Sequence, residues 1–169
     1  AMFLVVLISP IAQLFRRLTQ KAQAQKTTDH NVLWRLPLTF LLLASLSLIF
    51  PEILGNGGAM AQGVFDGMTV QYAAVIVVVK AFVVLLTLKN GAYGGTLTPS
   101  FSMGAVLGFL GAVLCSQIFP TISLASAMLI GSSVFLAITM NAPLTAVGLV
   151  VSFTGQKLQA LPVLLIAVA

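Results

Sequence analysis

From Gly67 to Ala169 the chain contains no Asp or Glu, and its only cations there are Lys80, Lys89 and Lys157. A domain that folds in water must cover its surface with polar groups, and about 25% of its residues are charged. Here 7% are charged and 59% hydrophobic. Such a chain has too few charges to face water, so it is read as an integral membrane protein. The apolar runs are continuous rather than alternating, which favours helices over a β-barrel.

The same scarcity excludes chemistry. The acids are Asp29, Glu52 and Asp66. Beyond Asp66 there can be no carboxylate pair, no carboxylate metal site and no acidic proton relay. The single His30 lies in the polar segment TTDHN and reads as a solvated loop residue. The single Cys115 excludes an intrachain disulfide and a cysteine metal cluster, and reads as a small core residue. No enzyme activity, metal or cofactor is expected. The net charge of +5 comes largely from Arg16, Arg17, Lys21 and Lys26. These are membrane-flanking cations, and no nucleic-acid motif accompanies them. No cleavable signal peptide is evident; Ala1-Met2 running straight into apolar sequence looks like a truncation.

Taken in order, Met2 to Phe15 is apolar, holds Pro10, and reads as the end of a membrane helix (residues 1–15). The polar linker 16–32 first continues that helix out of the bilayer, then turns at TTDHN. Leu36 to Phe50 is apolar, with Pro37 in its first turn; extended back to Leu33 it is long enough for one span, with Trp34 and Arg35 as interfacial anchors. Leu54 to Gly67 is Gly-rich, a loop or short re-entrant piece. Asp66 is expected to N-cap a transmembrane helix over Met68 to Leu88. Within that helix Lys80 is a costly mid-span cation. Either it bonds helix-end carbonyls of a neighbour, or it sets a positive potential beside an anion path; the structural reading is preferred.

Asn90 to Gly111 carries the chemistry. Gly91-Ala92-Tyr93-Gly94-Gly95 breaks the chain, and Thr96-Leu97-Thr98-Pro99 then opens an apolar run to Phe119. Gly, Thr and a first-turn Pro mark a helix start. A helix start surrounded by hydrocarbon leaves N–H groups without partners. It is tolerated where it faces a cavity, and there it favours an anion. Thr96 and Thr98 also have the plainer reading of helix caps. Gly104, Gly108 and Ala112, with Gly111 adjacent, form a small face for close helix packing. Ser123 to Met140 is a helix, broken at Asn141-Ala142-Pro143. Pro143 to Phe153 is too short to span alone, Thr154 to Lys157 is a turn, and Leu158 to Ala169 opens another helix. Short helices with breaks in apolar sequence are the pattern of broken-helix transporters and channels.

FPEILGNGG, NGAYGGTLTPSFSMGAVLG and NAPLTAVGLVV, in that order, resemble the CLC family of chloride channels and proton-coupled anion exchangers. Gly95-Thr96-Leu97-Thr98-Pro99 stands where the family has Gly-x-Phe-x-Pro. Asn141-Ala142-Pro143-Leu144-Thr145 matches its later Ala-Pro-Leu-Thr pattern. The resemblance implies an all-α integral membrane fold of broken and re-entrant helices. In it, two inverted repeats make a homodimer with one pore per subunit, in the inner or plasma membrane.

Residues 33–169 would be the second repeat, incomplete at its C-terminus. The missing N-terminal repeat would hold the Gly-Ser-Gly-Ile-Pro loop and the gating glutamate. The last helix, with its pore tyrosine, would also lie outside; Tyr72 and Tyr93 are not in the matching place. The positive-inside rule puts the linker 16–32 in the cytoplasm, whereas an inverted repeat would turn it to the other side. By carry-over, the Thr96 and Leu97 N–H groups would contact the anion, Gly95 would allow close approach, and Pro99 would fix the first turn. Lys80 is a candidate electrostatic helper. Chloride is the expected anion, with protons as a possible coupled ion. Leu97 in place of phenylalanine, and hydroxyls at Thr96 and Thr98, raise fluoride as the alternative. A structural membrane subunit without transport is the other.

Overall fold

The computed structural model describes residues 2–55, 57–116, 123–155 and 161–168. It forms eight α-helices and one 3₁₀ turn among these residues: α1 Met2–Ala24, α2 Val32–Ser47, the 3₁₀ turn Pro51–Ile53, α3 Gly58–Phe65, α4 Val70–Lys89, α5 Leu97–Ser116, α6 Leu124–Met140, α7 Pro143–Thr154 and α8 Leu161–Val168. Three of them, α1, α4 and α5, are long and apolar enough to cross a membrane.

The centre is the α5–α6 pair, the most extensive helix contact in the molecule. A β-carbon on Gly104 would lie 2.7 Å from Gly131 O, and one on Gly108 would collide with Ala127 O. The partner residue falls as the α5 residue rises, so the two helices run antiparallel with backbones touching. In hydrocarbon there is no hydrophobic drive between helices, and close packing of small residues supplies the attraction. The expected small face on α5 is therefore present. Gly111 turns away from α6, toward Leu4 of α1.

Against this pair lies α1. Leu4, Ile8, Ala12, Phe15, Thr19 and Ala22 are its buried residues. Their spacing of three and four makes one helical stripe. Phe15 meets Phe135 of α6 with ring centroids 5.6 Å apart. Ends matter as much as faces. The C-terminal turns of α1 and α4 lie together, tied by the Thr27 N–H donating to Lys89 O at 2.9 Å.

One helix runs unbroken from Met2 to Ala24, so the first half of the linker continues it, as expected. Arginines at 16 and 17 do not stop a helix. Other boundaries differ. The span expected from Leu33 to Phe50 is the shorter Val32–Ser47. Pro37 then sits in its second turn, not its first. Asp66 does not cap α4; it ends α3, its N–H donating to Gln62 O and the Gly67 N–H to Val64 O. The cap is Thr69, whose side chain accepts from the Tyr72 N–H at 3.4 Å. Gly67, at φ 94°, makes the turn that delays the start. Leu54 to Gly67 holds a short helix, α3, with Asn56 outside the described residues. So are the expected end at Phe119-Pro120, Gln156-Lys157 of the expected turn and the first residues of the last helix; Gly155 closes α7 at φ 61°.

Candidate anion site

The site begins where α4 stops. Asn90 closes that helix, and its Nδ2 donates to Thr39 Oγ1 at 2.7 Å. Gly91 then takes φ 107°, with the position of its absent β-carbon 3.1 Å from Thr27 O and from both Val32 methyls. Only glycine fits both the dihedral and the space. The Ala92 N–H returns to Thr87 O at 3.0 Å. Tyr93 lies under Lys26, whose Nζ is 2.9 Å from the ring centroid. Four local ties thus fix the entry to the next segment.

That segment is open. Gly94 and Gly95 are exposed, and nothing lies within 4 Å of where their β-carbons would be. α5 starts at Leu97, as expected from the Gly, Thr and Pro signals. The Ser100 N–H donates to Thr96 O at 2.9 Å, which is the first turn closing. Among the described residues, the N–H groups of Thr96, Leu97 and Thr98 meet no acceptor. Pro99 follows with no N–H to satisfy. The two threonine hydroxyls also form no hydrogen bond among the described residues. The capping reading of Thr96 is therefore not what is seen: no bond runs from its hydroxyl to the helix. Proline at 99 removes one of the N–H groups that an N-cap side chain normally receives.

Behind the open turn is a closed one. Lys80 is 3% exposed. Its Nζ donates to Ile53 O at 2.5 Å and to Gly55 O at 3.2 Å. These carbonyls end the 3₁₀ turn, so the preferred reading, a lysine on helix-end carbonyls of a neighbour, describes its contacts. The turn leads to Gly57, at φ 84°. A β-carbon there would collide with Ser102 Oγ and lie 3.8 Å from Thr98 O. Lys80 thus holds the loop on which the first turns of α5 rest, without touching Gly95 to Pro99 itself. Ser102 Oγ donates to Pro99 O at 3.1 Å, while Ser100 and Ser133 bury hydroxyls that find no partner among the described residues.

Sequence reasoning missed a second polar feature. At the α6–α7 break Asn141 adopts φ 56°, and Arg16 Nη1 donates to its Oδ1 at 3.2 Å. Gln13, Arg16, Arg17, Gln20 and Asn141 line a half-open cavity of about 430 Å³ there. Two cations flanking a broken helix are visible in the sequence only separately, with more than a hundred residues between them.

The family model described as voltage gated chloride channel matches residues 1–169. A curated relative, the voltage-gated ClC-type chloride channel ClcB of Escherichia coli (strain SMS-3-5), is 33% identical over 137 residues, covering 79% of this chain and 32% of its own length. ClcB of Salmonella typhimurium (strain LT2) is likewise 33% identical over 137 residues, covering 79% of this chain and 33% of its own length. The chain spans about a third of the length of the curated relatives it matches.

Proposed function

The chain belongs to the voltage-gated chloride channel family, and on that premise we propose that it supplies one wall of a path for an inorganic anion, chloride first. The observation that carries the reading is the run of main-chain N–H groups at Thr96, Leu97 and Thr98 with no acceptor among the described residues. They stand at the positive end of a 20-residue helix. A desolvated anion there gains main-chain donors and the helix dipole without a carboxylate or metal. Gly95 leaves room for it, and Pro99 fixes the turn. Lys80 acts through the Ile53–Gly57 loop as a positioning residue and a fixed positive charge.

The other walls belong to an N-terminal repeat of the same protein, and the working unit is a membrane-embedded homodimer with residues 33–169 as the second repeat of each subunit. Proton coupling would need acidic residues of that other repeat.

Leu97→Pro tests the reading in the complete protein. Proline is favoured at the first helical position, so the change removes one N–H while keeping the helix. Chloride efflux from reconstituted liposomes is expected to fall about tenfold or more, the loss of roughly 1.4 kcal/mol. Efflux within twofold of wild type would sink the donor assignment. Fluoride is the second reading, favoured by the Thr96 and Thr98 hydroxyls, unpaired among the described residues, which add donors suited to a small anion. A complete protein that carries neither halide returns the chain to a purely structural role.

A further inference from the structure

Beside the anion site, the parallel C-terminal ends of α1 and α4 enclose a groove of about 410 Å³. Its wall is apolar: Leu18 from α1 and Phe82, Leu85 and Leu86 from α4. Leu18 and Phe82 are 40% and 54% exposed. Its mouth carries two cations, Lys21 and Lys89, one in the last turn of each helix. Among the described residues neither ammonium has a carboxylate partner. Lys26 nearby is different, since Tyr93 occupies its charge. Phe82 also lines a second groove, apolar throughout, with Leu42 and Leu46 of α2. The apolar track therefore continues away from the charged mouth.

We infer that this groove seats an anionic phospholipid, with its phosphate between Lys21 and Lys89 and an acyl chain along Leu18, Leu85 and Phe82. The shape argument is that one end is polar, with two cations and Gln25, and the rest is hydrocarbon, an amphipathic match to one lipid molecule. Lysine side chains at helix ends reach the headgroup level by extending their stems over apolar surface. Basic pockets between membrane helices are suited to acidic headgroups. A free phosphate would leave the apolar wall unused. A zwitterionic lipid would set its own cation against the two lysines. The six cations Arg16, Arg17, Lys21, Lys26, Arg35 and Lys89 lie toward this end with one acid, Asp29, whereas Glu52, bonded to Tyr72 Oη, and Asp66 lie toward the α4 start. The groove mouth thus faces the more basic side of the molecule, where an acidic leaflet is attracted.

The test uses the complete protein, delipidated in detergent, and native mass spectrometry with phosphatidylglycerol and phosphatidylcholine of equal chain length. Wild type should retain phosphatidylglycerol in preference. Lys21→Gln with Lys89→Gln should cut that preference roughly thirtyfold, at about 1 kcal/mol per cation. Lys21→Arg with Lys89→Arg should keep it, and millimolar inorganic phosphate should not displace the lipid. An unchanged preference in the glutamine variant overturns the assignment. So does displacement by phosphate alone. A Phe82→Trp variant whose fluorescence brominated phosphatidylglycerol does not quench overturns it too, by showing the groove covered by the rest of the protein.

Discussion

Two turns in this chain carry nearly the same polar inventory and end in opposite states. The Pro51–Gly55 turn offers carbonyls, and Lys80 consumes two of them. The Gly94–Pro99 turn offers N–H groups, and among the described residues nothing consumes them. They are neighbours, since Gly57 packs on Ser102 and Thr98. A buried polar group in a membrane must be satisfied or must face something that satisfies it. The first turn is satisfied within the described residues, and on the proposed reading the second is the one that faces an anion. Donor and acceptor polarity decides which ion suits each: a built-in cation already fills the carbonyl turn, and an anion suits the N–H turn.

The contrast can be broken from either side. Lys80→Met should have the largest effect, removing a charged donor from two carbonyls at a cost of about 3 kcal/mol. Thermal unfolding of the complete protein in detergent would report it, and a stability within error of wild type would show that the turn does not depend on Lys80. Gly57→Ala comes next, at about 2 kcal/mol, because it combines a left-handed dihedral with a collision on Ser102 Oγ. Pairing it with Ser102→Gly should restore part of the loss; no restoration would mean that backbone strain alone is responsible. Leu97→Pro, already described, should leave stability nearly unchanged and act on flux, by about tenfold. Smallest is Thr96→Val with Thr98→Val. Main-chain donors remain, so chloride flux should change by less than about threefold. A larger loss for fluoride than for chloride would move the assignment toward the smaller anion.

Much of this was legible in the residues. The helix start at Leu97 was written in glycines, threonine and proline, and the need of Lys80 for carbonyl partners followed from its depth. The small face on α5 was visible, though its partner Gly131 was not, because sequence spacing reveals a face and not what covers it. Asp66 misled because Asp66-Gly67-Met68-Thr69 holds two capping residues. Gly67 at φ 94° gave the cap to the later one. The continuation of α1 past Phe15 was legible in the linker, but its buried Thr19 and Ala22 were not, because a polar stretch does not show which of its residues a neighbouring helix covers. The groove between Lys21 and Lys89 was invisible, since it depends on α1 and α4 lying parallel.

The central claim concerns the N–H groups of Thr96 and Leu97. Crystals of the complete protein grown in bromide would test it by anomalous diffraction. The account predicts a bromide peak within hydrogen-bonding reach of both nitrogens, weakened in Leu97→Pro. Strong bromide peaks elsewhere with none at the α5 start would contradict it.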